Sequence, residues 1–138
     1  MKQTLFLDTN VILDLLGKRE PFFDGIAKIA TLAEQQKLVL YVSTLSFSTT
    51  DYILRKYENP KTSIEKLRKF KVICKISTSD EQTVEKALNS DFSDFEDALQ
   101  YYSAIDTGCD IIITRNQKDF KSSAIPVLTA DEFLKTLQ

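Results

Sequence analysis

Histidine is absent from this 138-residue chain, and the absence removes whole classes of chemistry. Ser-His and Cys-His catalysis need an imidazole to carry the proton, and every His-ligated zinc or iron site needs it as a ligand. Any metal chemistry here must use oxygen ligands, which points to magnesium or manganese. Cysteine is scarce too. Cys74 and Cys109 are too few for a disulfide framework and lie on or beside strand-like runs, so they read as buried free thiols. No apolar run is long enough to span a bilayer, and Met1 to Thr4 lead into a strand without a signal-peptide pattern, so a cytoplasmic location is the expectation. Repeats, low-complexity segments and linkers are also missing, which predicts one compact domain over residues 1–138.

What is present is an ordinary globular composition, 43% hydrophobic and 28% charged, with a formal net charge of -2. That charge is unevenly spread. Arg55, Lys56, Lys61, Lys66, Arg68, Lys69, Lys71 and Lys75 crowd one stretch against only Glu58 and Glu65. Such a patch suits phosphates, and equally suits a solvated helix face that keeps the protein soluble.

Strand-like and helix-like runs alternate along the chain. Leu5 to Leu7 form a short apolar strand, followed by a helical pattern of Val11, Ile12, Leu15 and Leu16. Pro21 is placed to start a second helix, whose core face is Phe22, Ile26, Ile29, Ala30 and Ala33. Leu38 to Val42 make a second strand, and Ser43 or Thr44 caps a helix running to about Tyr57. After Asn59 and Pro60, Thr62 with Glu65 offers a capping box for a basic helix, and Val72 to Ile76 read as a strand. Ser79 with Gln82 opens another helix, with Val84 and Leu88 facing inward. Ser93 with Glu96 opens the next, which Gly108 stops before the strand Ile111 to Ile113. A turn near Asp119 and Phe120, an edge strand Ile125 to Leu128 and a helix capped by Thr129 with Glu132 complete the chain. The alternation predicts an α/β fold, a three-layer α/β/α arrangement around a mainly parallel sheet of four or five strands.

Two strands end abruptly in polar groups. The first runs into Asp8, Thr9 and Asn10, and the strand Ile111 to Ile113 into Thr114, Arg115 and Asn116. If both lie parallel, these clusters emerge together at the carboxyl edge, where open α/β sheets place ligands. Asp94 and Asp97, three apart, share a helix face with Tyr101 further along, and Glu96 points elsewhere. Each residue also has a plain structural role. Acids in a first helical turn complement the helix dipole, Asp8 can cap the helix after it, and Asn116 can cap the turn that includes Asp119. Thr114 can be a strand-end hydroxyl, Tyr101 packing, and Asp14 and Glu96 surface or capping groups. Taken as an ordered set, carboxylates from separate elements with amide and hydroxyl groups make a hard-oxygen site for one or two divalent cations. In two-metal phosphodiesterases one ion generates hydroxide and the other stabilises the leaving oxygen, so no histidine is needed. Clustered carboxylates repel one another, and a cation relieves that repulsion.

LDTNVILDLL, DFEDALQYYSAI and IITRNQKDF, in that order, resemble the three diagnostic segments of the PIN-domain family. The resemblance implies a metal-dependent endoribonuclease fold, a magnesium or manganese site and frequent homodimerisation. Many small bacterial members are toxins of VapBC toxin-antitoxin modules, so a cognate antitoxin covering the pocket is a further expected partner beside RNA. By position, Asp8 matches the family's first acid, Asp97 its late-helix acid, Asn116 a position held by Asp or Asn, and Thr114 the accompanying hydroxyl. Asp94 sits where an extra acid is often seen. The implied assignment is Asp8, Asp94 and Asp97 on the cation, with Asn116 and Thr114 orienting water and the scissile phosphate.

One family position departs. Where the family usually carries a glutamate after the second strand, this chain has Thr49. Asp51 does not replace it, because two residues along a helix is about 200° of rotation. With Asn116 also neutral, weaker cation binding is expected. The alternative reading is a non-enzymatic relative that binds RNA or protein. A phosphoacceptor receiver domain is set aside, since it expects paired acids after the first strand and DTN lacks the pair.

Overall fold

The computed structural model describes residues 1–138. Its elements in chain order are β1 (Thr4–Leu7), α1 (Thr9–Leu16), α2 (Phe23–Glu34), β2 (Val39–Val42), α3 (Thr44–Leu54) and α4 (Pro60–Val72). There follow β3 (Cys74–Ile76), α5 (Glu81–Leu88), α6 (Phe95–Thr107), β4 (Ile111–Ile113), a 3-10 turn (Gln117–Phe120), β5 (Val127–Leu128) and α7 (Ala130–Lys135). All neighbouring strands pair in parallel, in the order β3-β2-β1-β4-β5. The chain winds outward from β1 to one side, then returns to place β4 on the other. The crevice between β1 and β4 is thus the topological switch point, the usual ligand position in an open α/β sheet.

Period-two alternation explains how these short strands are covered on both faces. Leu5, Leu7, Ile111 and Ile113 point into a core with Val11, Ile12, Ile26, Ile29 and Phe133 of α1, α2 and α7. Phe6 and Ile112 point the other way, into Tyr101 and Ala104 of α6 and Phe120 of the 3-10 turn. This is the expected three-layer arrangement, with five strands. Cys74 and Cys109 are buried free thiols, and burial pushes them up to about 11 and about 12 respectively. They are inert at neutral pH.

Several element starts differ from expectation by one to three residues. Overlapping patterns offered two capping registers, and the aspartate or asparagine won over the serine or threonine. Asp94, not Ser93, caps α6, Asp80 with Thr83, not Ser79 with Gln82, caps α5, and Asn59, with Pro60 behind it, caps α4 ahead of Thr62 with Glu65. α2 begins at Phe23 rather than Pro21, with no side-chain cap. Val84 and Leu88 were expected inside but are 43% and 63% exposed. α5 instead turns Thr83 and Ala87 to α6, where the Thr83 hydroxyl donates to Asp106 (2.8 Å). Gly108 stops α6 as anticipated, in the left-handed region at φ 83°.

Candidate active site

The register of the sheet builds the site. Leu7 of β1 lies opposite Ile113 of β4, so the next residues, Asp8 and Thr114, leave the sheet side by side. The Asp8 amide donates to the Ile113 carbonyl (3.0 Å) and holds this pairing one residue past β1. Both Asp8 carboxylate oxygens are used. Oδ1 accepts from the Thr9 amide (2.8 Å) and caps α1, while Oδ2 accepts from the Thr114 hydroxyl (2.8 Å) and from Asn10 Nδ2 (3.4 Å). The capping role and the place in the cluster therefore coexist. Asp8 is 8% exposed. Burial raises its pKa, opposed by the bonds from Thr114 and Thr9 and by the nearby Gln100 amide, and Asp119 adds further repulsion.

α6 brings the second group. The Asp94 side chain is exposed and accepts from the Asp97 amide (3.0 Å), so Asp94 serves as the helix cap. Asp97, one turn on, is half-buried. Its pKa is pushed up to about 7, first by desolvation and then by the charges of Asp94, Asp8, Asp119 and Glu96. Four carboxylates repelling a fifth mark a place where a cation would be held.

The other expected residues divide. Thr114 is fully buried, donates to Asp8 and accepts from the Asn116 amide (3.1 Å) and from Asn10 (3.2 Å), so it organises the strand end. Asn116 is exposed and its side chain makes no cap bond to the 3-10 turn. Tyr101 is packing, buried against Phe92 with its hydroxyl accepting from the Ala124 amide (2.9 Å). Glu96 remains exposed but reaches α3, accepting from Thr49 Oγ1 at 3.4 Å.

Two acids behave in ways the sequence pattern did not anticipate. Asp119 lies in the turn after β4, yet its charge acts on both Asp8 and Asp97. The turn packs against α6 and β5, and nothing in the local pattern signals that. Asp14, expected at the surface or as a cap, is 1% exposed. Its two oxygens take Arg115 Nε (2.7 Å) and Nη2 (3.2 Å), and Oδ1 also takes Arg19 Nε (3.0 Å). Arg115 in turn lies over the Phe22 ring at 4.0 Å. This buried pair fastens the Thr114 to Asn116 segment onto α1.

No three His, Cys, Asp or Glu side chains converge closely enough to hold a metal ion between them. The donors are hard oxygens, and Asp97 has an unrelieved charge environment, so they fit a cation bound by one or two carboxylates and completed by water. Magnesium is commonly held in that way. The raised Asp97 pKa carries a sign for stability. Between the ordinary value of 3.8 and about 7 the folded state binds more proton than the unfolded chain, so this group lowers stability as pH rises through that window. Chelator-treated protein is expected to melt at a lower temperature near about pH 8 than near about pH 5, and Asp97→Asn to flatten the dependence. Thermal melts at the two pH values, with and without magnesium, check this.

With this geometry in place, known proteins can be compared. A profile of the PIN domain matches residues 4–118. The chain belongs to the PIN-domain family. Ribonuclease VapC1 of Aquifex aeolicus is 31% identical over 136 residues, covering 95% of this chain and 93% of the relative. Among solved structures, DNA-bound VapBC from Salmonella typhimurium aligns with a TM-score of 0.70 at 16% identity, over 94% of this chain and 99% of that one. VapBC-1 from nontypeable Haemophilus influenzae aligns at 0.68 and 18%, with the same coverage. Both likenesses establish the fold. No helix of this PIN domain is long and apolar enough to cross a membrane.

Proposed function

We propose that this PIN domain is a divalent-metal-dependent endoribonuclease, the toxin of a toxin-antitoxin module, using magnesium or manganese at the β1/β4 crevice. The observation that carries the reading is the placement of buried Asp8 at the end of β1, at the switch point of the sheet, with its charge acting on Asp97 in the first turn of α6. Asp8 and Asp97 would hold the cation, with Asp94 acting through water from the helix cap. A cation held by these residues would lower the pKa of a bound water and stabilise negative charge at the phosphate. The chain's own groups set the geometry. Thr114 holds Asp8 through its hydroxyl, and Asn116, exposed and free of capping duty, is available to orient water and the scissile phosphate. In-line attack then leaves 5'-phosphate and 3'-hydroxyl ends.

Support for RNA as substrate and an antitoxin as partner comes from the ribonuclease VapC1 relative and the VapBC neighbours. A homodimer belongs to the same reading. The basic stretch lies on the end of α3 and on α4, where Arg55 pairs with Asp51 and Lys66 with Glu58, leaving Lys61, Arg68 and Lys69 exposed. A second reading, a PIN domain that binds without cleaving, is favoured by the neutral Thr49 and Asn116. Chelator-treated protein incubated with labelled structured RNA, then given magnesium or manganese, separates them. Ion-restored cleavage with 5'-phosphate products supports the nuclease. RNA binding without cleavage under every ion condition supports the second reading.

A further inference from the structure

Beneath the acids lies a buried knot of neutral polar side chains, Thr9, Ser43, Ser46 and Gln100. Gln100 on α6 is 1% exposed and sits one turn past Asp97. Its Nε2 donates to the Thr9 hydroxyl (3.1 Å), next to Asp8, and to the Ser46 hydroxyl (2.7 Å) on α3. Its Oε1 accepts from the Ser43 hydroxyl (2.5 Å), the N-cap of α3. Thr9 and Ser46 also bond to each other (2.7 Å), and Ser43 accepts from the Ser46 amide (3.2 Å). One amide thus ties together the strand end carrying Asp8, the helix carrying Asp97 and the start of the helix carrying Thr49.

A side chain of this kind is demanding to place. Burying an amide is unfavourable unless its donors and acceptor are matched, and here all are matched across three elements. The arrangement also requires a neutral group with two donors and one acceptor at its end. A glutamate of the same length would lose the donors and add charge beside Asp8, whereas methionine would fill the space and cut every tie. Because Thr49 supplies no carboxylate from α3, hydroxyl and amide bonds are what register α3 to the acids.

We propose that Gln100 is a positioning residue, fixing the spacing of Asp8 and Asp97 for cation binding through Thr9, Ser43 and Ser46. The inference rests on the metal-dependent nuclease reading above. It distinguishes a node that sets the site from a polar bond that merely stabilises the core. Partners that orient metal-holding groups typically change metal affinity or activity about 10-fold to 100-fold when removed.

The test compares wild type, Gln100→Met, Ser46→Ala and Asp8→Asn by manganese calorimetry, by kcat and KM on a labelled single-stranded RNA of mixed sequence, and by thermal melting. Gln100→Met is expected to weaken manganese binding and lower kcat by about 10-fold or more, with KM for RNA within about twofold of wild type. Ser46→Ala is expected to shift both in the same direction by less, and it decides the matter if Gln100→Met does not fold. A lower melting temperature with wild-type manganese affinity and kcat would overturn the proposal, since that is a structural role alone. If wild type itself shows no saturable manganese binding, the nuclease reading fails and takes this proposal with it. Wild-type binding lost in Asp8→Asn but untouched in both knot variants overturns the proposal alone.

Discussion

Asp8→Asn is expected to reduce RNA cleavage by about 100-fold or more while leaving the fold in place. The estimate follows from losing several kcal/mol of charge stabilisation at the cation, at about 1.4 kcal/mol per factor of ten. The fold should persist because asparagine is as good an N-cap as aspartate, and the bond from the Thr9 amide survives. Thr114 loses its carboxylate acceptor but keeps Asn10 and the Asn116 amide as donors to it. Removing a desolvated charge also relieves Asp97, so its pKa should fall toward the ordinary range. Initial cleavage rates together with circular-dichroism melts check the pair of claims. Unfolding of the variant would show that the second carboxylate oxygen, which takes the Thr114 hydroxyl and the Asn10 amide, is needed for the fold itself.

Asp14→Ala carries the largest expected cost to stability, about 3 kcal/mol. Breaking a buried ion pair by removing one partner costs about 3–5 kcal/mol. The lower end applies here because Arg19 and Arg115 have side chains 42% and 30% exposed and can turn to water, whereas the aspartate is 1% exposed. The midpoint of thermal unfolding should fall by roughly 10 °C. Activity should fall as well, because Arg115 fastens the Thr114 to Asn116 segment, whose Arg115 amide also donates to Asn10 (3.3 Å). Denaturant unfolding of Asp14→Ala beside Arg19→Met and Arg115→Met measures this. An effect of Asp14→Ala no larger than that of Arg19→Met would mean that the second arginine contributes little.

Much of this was legible in the sequence because it is local. The short apolar runs at Leu5 to Leu7 and Ile111 to Ile113 have the composition of doubly covered parallel strands, and the polar groups that end them define a sheet edge. What was not legible depended on distance. Asp14 and Arg115 are 101 residues apart and Thr9 and Gln100 are 91 apart, so only the folded chain brings each pair together. Asp119 was hidden for the same reason, behind a turn whose direction no local pattern encodes. Capping failed differently: Ser93 with Glu96 and Asp94 with the Asp97 amide are overlapping registers one residue apart, and α6 takes the second. The inward face of α5 was misjudged because the chain buries small groups, Thr83 and Ala87, against α6 instead of its large aliphatic residues.

If Asp97 and Asp8 hold a cation, the titration of the Asp97 carboxyl must respond to it. Carbon-detected NMR on chelator-treated protein should place its midpoint at about 7, well above the ordinary 3.8. Saturating magnesium should pull it down sharply, because the cation favours the carboxylate form. An Asp97 midpoint that magnesium does not move would mean that no cation is held at Asp97.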